Sequence, residues 1–428
     1  MKLIALFVLL CTLAIAEKLN IIKKENSDSN TTLLVIGGIH GNEPGGYFAP
    51  AILASHYTIK SKNLWIIPNL NKESILNYKR GIHGDMNRKF AKIDEHDQDK
   101  ETVEAIKKII LQPNISLVLN LHDGHGFYRK KNQGSIFNPN AWGQTCVIDQ
   151  CQLQTYQPFG DLNKIAEEVR TNINKKLLKK HHSFNVKNTK TKYDDEAMQL
   201  SLTYFAVTHN KPAFAIETSK NLSTLSQKVF YQLLAIEEFM KIMQIEYTRD
   251  FDLNEQNINK IIKNYGTLEI NHNILLNLNN IKKSLSYIPI KSKGNVFNFS
   301  HPLGSVKKRS SGAFDIYIGN IKITSLHPQY FEIASDCKEE YLFEVDGKEL
   351  PVKRASSFEV TDDFKVIKDK VYRVNIIGYH SKKRDESEES VSLANLNTRY
   401  AVDTDEKVYR VEFYKNDKFC TMITAKFK

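Results

Sequence analysis

A histidine and a glutamate three residues apart are the first residues in the chain whose spacing suggests chemistry. They lie in the run Gly37-Gly38-Ile39-His40-Gly41-Asn42-Glu43-Pro44-Gly45-Gly46, which follows the strand formers Leu33-Leu34-Val35-Ile36. An imidazole and a carboxylate so placed, on a turn leaving a buried strand, can converge on one metal ion. Zinc takes His nitrogen and Glu oxygen readily, and a catalytic zinc site uses three protein ligands plus a water. The third ligand is best sought at the end of a neighbouring strand. Leu117–Leu121 ends in His122-Asp123-Gly124-His125, which makes His122 the candidate. Asp123 could orient a ligand or meet a substrate amine, and loop solvation accounts equally for Asp123 and His125. A general base is sought in the same way. Glu217 follows the apolar strand Ala213–Ile216, where partial desolvation raises a carboxyl pKa toward the working range of a base. A carboxylate paired with a lysine is the plainer account of that residue. The glycines around His40 are expected to let a substrate backbone approach closely.

A cationic stretch, Lys79-Arg80-Gly81-Ile82-His83-Gly84-Asp85-Met86-Asn87-Arg88-Lys89-Phe90, offers two arginines around a glycine-rich turn. Arginine forks bind carboxylates in a bidentate way, so the pair could clamp a substrate carboxylate beside a metal. By composition alone the stretch reads equally as solvated surface.

The elements that must hold these residues alternate. Strands are expected at Thr32–Ile36, Leu64–Asn69, Leu117–Leu121 and Ala213–Ile216. Helical periodicity marks Tyr47–His56, Lys100–Leu111, a helix capped by Asp161, and one carrying Leu225, Val229, Leu233, Ile236 and Met240. Apolar strands between amphipathic helices imply an α/β domain over 17–245, with the chemistry at the carboxyl ends of the strands. Near residue 246 the pattern changes, and after a short helical stretch, about Asn254–Tyr265, it turns to β. Phe314–Ile318, the turn Gly319-Asn320 and Ile321–Thr324 alternate. From 341, Tyr341–Val345 with Asp346-Gly347 reads as a strand and hairpin turn, followed by Val371–Ile377, Val391–Leu396, Val408–Tyr414 and Thr421–Phe427. These imply two small all-β domains, barrel-like over 246–340 and an immunoglobulin-like sandwich over 341–428.

Of the 428 residues, 41% are hydrophobic and 25% charged, which places the chain among ordinary globular proteins. The net charge of +11 is spread as pairs such as Lys107-Lys108 and Lys282-Lys283. No nucleic-acid motif accompanies it, so nucleic acid is not expected as a partner. A carboxylate-rich polymer such as cell wall fits the charge, as does a simply basic surface. Lys2, the apolar run Leu3–Ile15 and Ala14-Ile15-Ala16 read as a signal peptide over 1–16, cut before Glu17. The apolar run is shorter than the roughly 20 residues of a membrane span. Removing it leaves Cys146, Cys151, Cys337 and Cys420, an even number that in an oxidising compartment invites pairing of neighbours and of the distant two, with free thiols as the alternative.

Taken together, His40-x-x-Glu43, Asp85-Met86-Asn87-Arg88, His122 and the strand-end Glu217 resemble the ordered signature of zinc carboxypeptidases of the carboxypeptidase A type. With the signal peptide, the β modules and the Leu121-His122-Asp123-Gly124 context, the chain is similar to the secreted murein carboxypeptidases that set helical cell shape in Helicobacter and Campylobacter. The resemblance implies a mixed sheet flanked by helices and a Zn2+ held by His40, Glu43 and His122. It implies Glu217 as the residue that activates the attacking water and protonates the leaving amine. Arg80 would stabilise the oxyanion, with Lys79 as its alternative, while Asn87 and Arg88 hold the substrate's terminal carboxylate. The implied reaction is trimming of a peptidoglycan tripeptide in the periplasm, by cutting the bond from D-glutamate to meso-diaminopimelate. Asp123, Asp194-Asp195-Glu196 and Trp142 are unranked candidates for the diaminopimelate side chain. A deacylase of the succinylglutamate desuccinylase type shares the His-x-x-Glu and later His, and a wall-binding scaffold with an inactive domain is the non-enzymatic alternative.

Overall fold

The structure, a computed structural model, describes residues 19–26 and 29–428. The expected signal peptide lies outside them. In chain order the first domain contains β1 (Ile22–Lys24), β2 (Thr32–Ile36), α1 (Pro44–His56), β3 (Tyr57–Ile59), β4 (Asn63–Ile67), α2 (Lys72–Leu76), α3 (Lys100–Ile110) and β5 (Ile115–Gly124). After the short β6 (Phe127–Tyr128) and β7 (Phe137–Asn138) come β8 (Thr145–Ile148), α4 (Leu162–Ile173), β9 (Asn185–Asn188), α5 (Thr191–Asp194), α6 (Leu202–Thr208), β10 (Ala213–Ser219) and α7 (Leu225–Ile242).

The main sheet has the order β1-β4-β2-β5-β10-β8-β9. Its centre, β4-β2-β5-β10, is parallel, while β1 and β8 run antiparallel to their neighbours. Every residue of β2 and β4 is buried, as a sheet covered on both faces requires. Helices α1, α4 and α7 pack together on one face, α3 and α6 against β5 and β10 on the other. All four expected strands form. β5, however, runs on to Gly124, so His122 and Asp123 belong to the strand rather than to a loop after it. β8 and β9 were not expected: the first is four residues between turns, and the second, Asn-Val-Lys-Asn, carries no apolar alternation.

The glycines after β2 serve packing inside the protein, which corrects the expectation that they admit substrate. A Cβ on Gly41 would lie 2.0 Å from the Ser74 backbone, one on Gly46 2.7 Å from the Leu121 carbonyl oxygen, and one on Gly45 2.4 Å from Asp123 Oδ1. The first turn of α1 is thereby pressed onto the end of β5.

After α7 a short helix, Glu255–Ile262, packs against it, and the β region follows. Ser284–Ile290, Ile321–Tyr330, Phe314–Ile318 and Gly304–Lys308 form one four-stranded sheet in that order. The turn at Gly319-Asn320 forms as expected, with Gly319 at φ +58 against Tyr47 and Phe48 of α1. Thr267–Ile270 and Ile274–Asn277 instead join a larger sheet through Lys418–Phe427, which also pairs with Val408–Lys415 and Ser357–Val360. Lys348–Lys353, Glu340–Val345, Asp363–Val366 and Val391–Ser392 form a further sheet. The last two sheets enclose one apolar cluster that includes Phe343, Phe364, Val411 and Ile423. The strand expected at Val391–Leu396 is only Val391–Ser392, because Leu393–Asn395 turns into a short 3-10 helix. Cys337 and Cys420 form a disulfide, whereas Cys146 is a buried free thiol and Cys151 an exposed one.

Replacing Gly46 with Ala places a methyl group against fixed backbone, and overpacking of this kind costs about 2 kcal/mol. Thermal unfolding of Gly46→Ala is expected to show a lowered Tm; an unchanged Tm would mean that α1 can retreat from β5 without strain.

Candidate active site

The ends of three adjacent strands meet at one point. β2 leads through the glycine turn to His40 and then to Glu43, the residue that starts α1. β5 carries His122, and the parallel register sets Glu217 of β10 directly beside it. His40, Glu43 and His122 are buried, at 2%, 3% and 3% exposure. Their potential ligand atoms lie within 4.8 Å of one another. Glu43 Oε2 stands 3.1 Å from His40 Nδ1 and 2.9 Å from His122 Nδ1. It also accepts the Asp123 N–H at 3.2 Å.

Both imidazoles therefore present Nδ1 to the same space. His40 is turned that way by Asp85, whose Oδ1 lies 2.8 Å from Nε2. His40 Nδ1 is buried without a properly directed hydrogen bond. Two imidazole nitrogens and a carboxylate oxygen, one nitrogen lacking a partner, fit a divalent metal ion. Burial works against a proton on His40, but Glu43 and Asp85 outweigh it and raise its pKa to about 8. Burial lowers that of His122. Burial also opposes charge on Glu43, yet the two histidines hold its carboxyl well below the usual range.

Glu217 behaves in the opposite way. Burial, reinforced by the neighbouring Glu43 charge, pushes its pKa up to about 8. A carboxyl poised there can exchange a proton near neutrality. Arg80 reaches the centre from the segment after α2: Nη1 lies 3.2 Å from Glu43 Oε1 and Nε 2.9 Å from Asp85 Oδ2. The neighbouring Lys79 is exposed. Asn87 is buried and its Oδ1 accepts the Leu202 N–H at 3.0 Å, leaving its NH2 to donate elsewhere. Arg88 is half-buried and its Nη1 donates to the Asn87 carbonyl at 3.0 Å.

The other candidates lie outside the His-Glu-His cluster. His125 is exposed. Asp123 is buried within the scaffold: Oδ2 accepts the Gly45 N–H at 2.8 Å and Oδ1 accepts the Thr218 hydroxyl, while burial raises its pKa to about 6. Asp194 and Glu196 are exposed, and Asp195 accepts the Met198 N–H. Trp142 is half-buried with Lys187 Nζ 4.3 Å over its ring. Three residues escaped sequence reasoning. Asp85 lay inside the recognised Asp-Met-Asn-Arg run without a role. Lys220, three residues beyond Glu217, brings Nζ to 3.3 Å from Glu43 Oε1. Gln232 of α7 donates to the His122 carbonyl at 2.7 Å, a contact that a helical amide does not announce.

A buried His-Glu-His cluster at the carboxyl ends of a mixed α/β sheet, with a strand-end glutamate beside it and Arg80 reaching in, is the arrangement a metallocarboxypeptidase requires. Residues 1–263 match the family described as the catalytic domain of carboxypeptidases controlling helical cell shape, and 334–428 match a C-terminal domain of metallo-carboxypeptidases. The chain belongs to this family of cell-shape carboxypeptidases. Among solved structures it is similar to apo cell shape determinant Csd4 from Helicobacter pylori, at 33% identity and TM-score 0.90, over 95% of this chain and 99% of that one. The tripeptide-bound form of that protein matches at 33% identity and TM-score 0.89, again over 95% and 99%. Its mDAP-bound form, titled a D,L-carboxypeptidase, matches at 33% and 0.90, over 95% and 100%. No match was found among curated protein sequences.

Because His40 must shed its proton to become a ligand, divalent-metal affinity is expected to rise with pH through about 8. Competition titrations against a chelator at pH 6.5 and 8.5 measure this, and equal affinities corrected for the chelator would contradict it. His122→Ala is expected to lose stoichiometric metal by elemental analysis; full retention would mean that another residue supplies the third ligand.

Proposed function

We propose that the chain is a zinc D,L-carboxypeptidase that removes meso-diaminopimelate from a peptidoglycan tripeptide, cutting its bond to D-glutamate. The observation that carries the reading is the Glu217–His122 register, which sets a carboxyl with a pKa near 8 beside the His-Glu-His cluster. Likeness across 95% of the chain to a protein solved with tripeptide, product and mDAP supports the substrate class.

His40, Glu43 and His122 would hold the zinc. When bound, zinc polarises the scissile carbonyl and makes the attacking water more acidic. Glu217 takes the proton of that water and returns it to the leaving amine. Arg80, fixed between Glu43 and Asp85, donates to the oxygen on which negative charge develops. The Asn87 NH2 and the Arg88 guanidinium hold the terminal carboxylate, which restricts cleavage to a free C-terminus. The periplasm is the proposed compartment, supported by the leader-like sequence over 1–16 and by the Cys337–Cys420 disulfide. We further read 17–245 as the catalytic domain, 246–340 as barrel-like and 341–428 as immunoglobulin-like. The two sheets around the Phe343 cluster support the last of these.

Incubation of zinc-loaded protein with muropeptide tripeptide is expected to release diaminopimelate and leave dipeptide, as followed by chromatography and mass. Glu217→Gln should retain zinc yet lose at least about a hundredfold in kcat, the usual scale of lost general-base catalysis, and a chelator should abolish turnover. Uncut tripeptide with zinc-loaded wild type would sink the reading.

A further inference from the structure

Glu43 Oε1 carries two full cations, and only one of them has a task in the reaction above. Arg80 Nη1 lies 3.2 Å from it and Lys220 Nζ 3.3 Å. They approach from opposite sides of the four parallel strands, Arg80 from the segment after β4 and Lys220 from the segment after β10. Arg80 is also tied to Asp85, the brace of His40. Glu43 is the ion-pair partner of Lys220 among the described residues.

The main chain of Lys220 is anchored as well as its ammonium. Its N–H donates to the Gly124 carbonyl at 2.7 Å, which ties the end of β10 to the end of β5. Thr218 and Ser219 are buried beneath it, and the Lys220 side chain is 35% exposed. The result is an ammonium on a rigid base at the rim of the catalytic centre, with room to meet an anion entering from solvent.

This inference rests on the tripeptide reading above. In peptidoglycan stems the D-glutamate is joined onward through its side-chain carboxyl. Its α-carboxylate therefore stays free, a few bonds from the reacting carbonyl on the acyl side. Converting that carboxylate to a primary amide removes the charge and leaves the shape nearly unchanged. The substrate thus brings a second anion near the metal, in addition to the terminal carboxylate assigned to Asn87 and Arg88. We propose that Lys220 binds this free α-carboxylate and makes the enzyme selective for stem peptides in which that carboxylate is unmodified.

The test compares kcat/KM of wild type, Lys220→Met and Lys220→Arg on two substrates: the tripeptide and the same tripeptide with that α-carboxylate converted to a primary amide. Zinc content and Tm are measured for each protein. Loss of one charged hydrogen bond corresponds to roughly tenfold or more. Wild type is expected to lose about that factor on amidation, mainly through KM. In Lys220→Met the ratio between the two substrates should fall to near one, and Lys220→Arg should restore much of it. Equal losses on both substrates in Lys220→Met would overturn the proposal, since Lys220 would then act through Glu43. A wild type indifferent to amidation would overturn it as well. A wild type that cuts neither substrate would refute the parent reading, an outcome distinct from the other two.

Discussion

The centre of this protein depends on keeping one buried carboxylate charged. Glu43 is 3% exposed, and burial alone would protonate it. It stays ionised because positive and hydrogen-bonding groups from three strand ends surround it. His40, His122 and the Asp123 N–H meet Oε2, while Arg80 and Lys220 meet Oε1. Those partners come from the ends of β2, β5 and β10 and from the segment after α2, so the carboxylate fixes the relation of these strands as much as it prepares a metal site. The same charge raises the pKa of Glu217. One group thereby sets the protonation of both the ligands and the base.

The principal parts of this centre could be read from the residues because they stand at strand ends in an apolar, strongly alternating context. Leu33–Ile36, Leu117–Leu121 and Ala213–Ile216 announce strands, and the candidate residues follow them, His122 and Glu217 directly and His40 after the glycine turn. Position relative to an element marked His40, His122 and Glu217 as candidates, while the role of Glu217 came from the resemblance to zinc carboxypeptidases. What remained hidden were contacts made across long sequence distances by ordinary side chains. Nothing in the order of residues tells that Asp85 lies behind His40, or that Asp123 ties α1 to β10 instead of facing a substrate. The strands β8 and β9, at one side of the sheet, were hidden for another reason. They are short, and tertiary pairing rather than local propensity makes them strands.

The glycines show how a correct motif can carry a wrong physical explanation. Their absence of side chains matters because protein backbone, at Ser74 and Leu121, occupies the space a Cβ would take. The metal-ligand geometry is therefore set by helix-on-strand contact, and the residues that permit it are as much part of the site as the ligands.

In the β region, Ile274 pairs with Met422 and Cys337 is bonded to Cys420. Lys418–Phe427 is thus a seam on which strands distant in the chain converge. Closing so long a segment carries an entropic penalty that only non-local contacts offset, whereas β2, α1 and β4 find one another over short distances. Truncation ahead of Lys418 would therefore unpair strands far upstream, Ile274–Asn277 and Ser357–Val360 among them, and would free Cys337 from its bond.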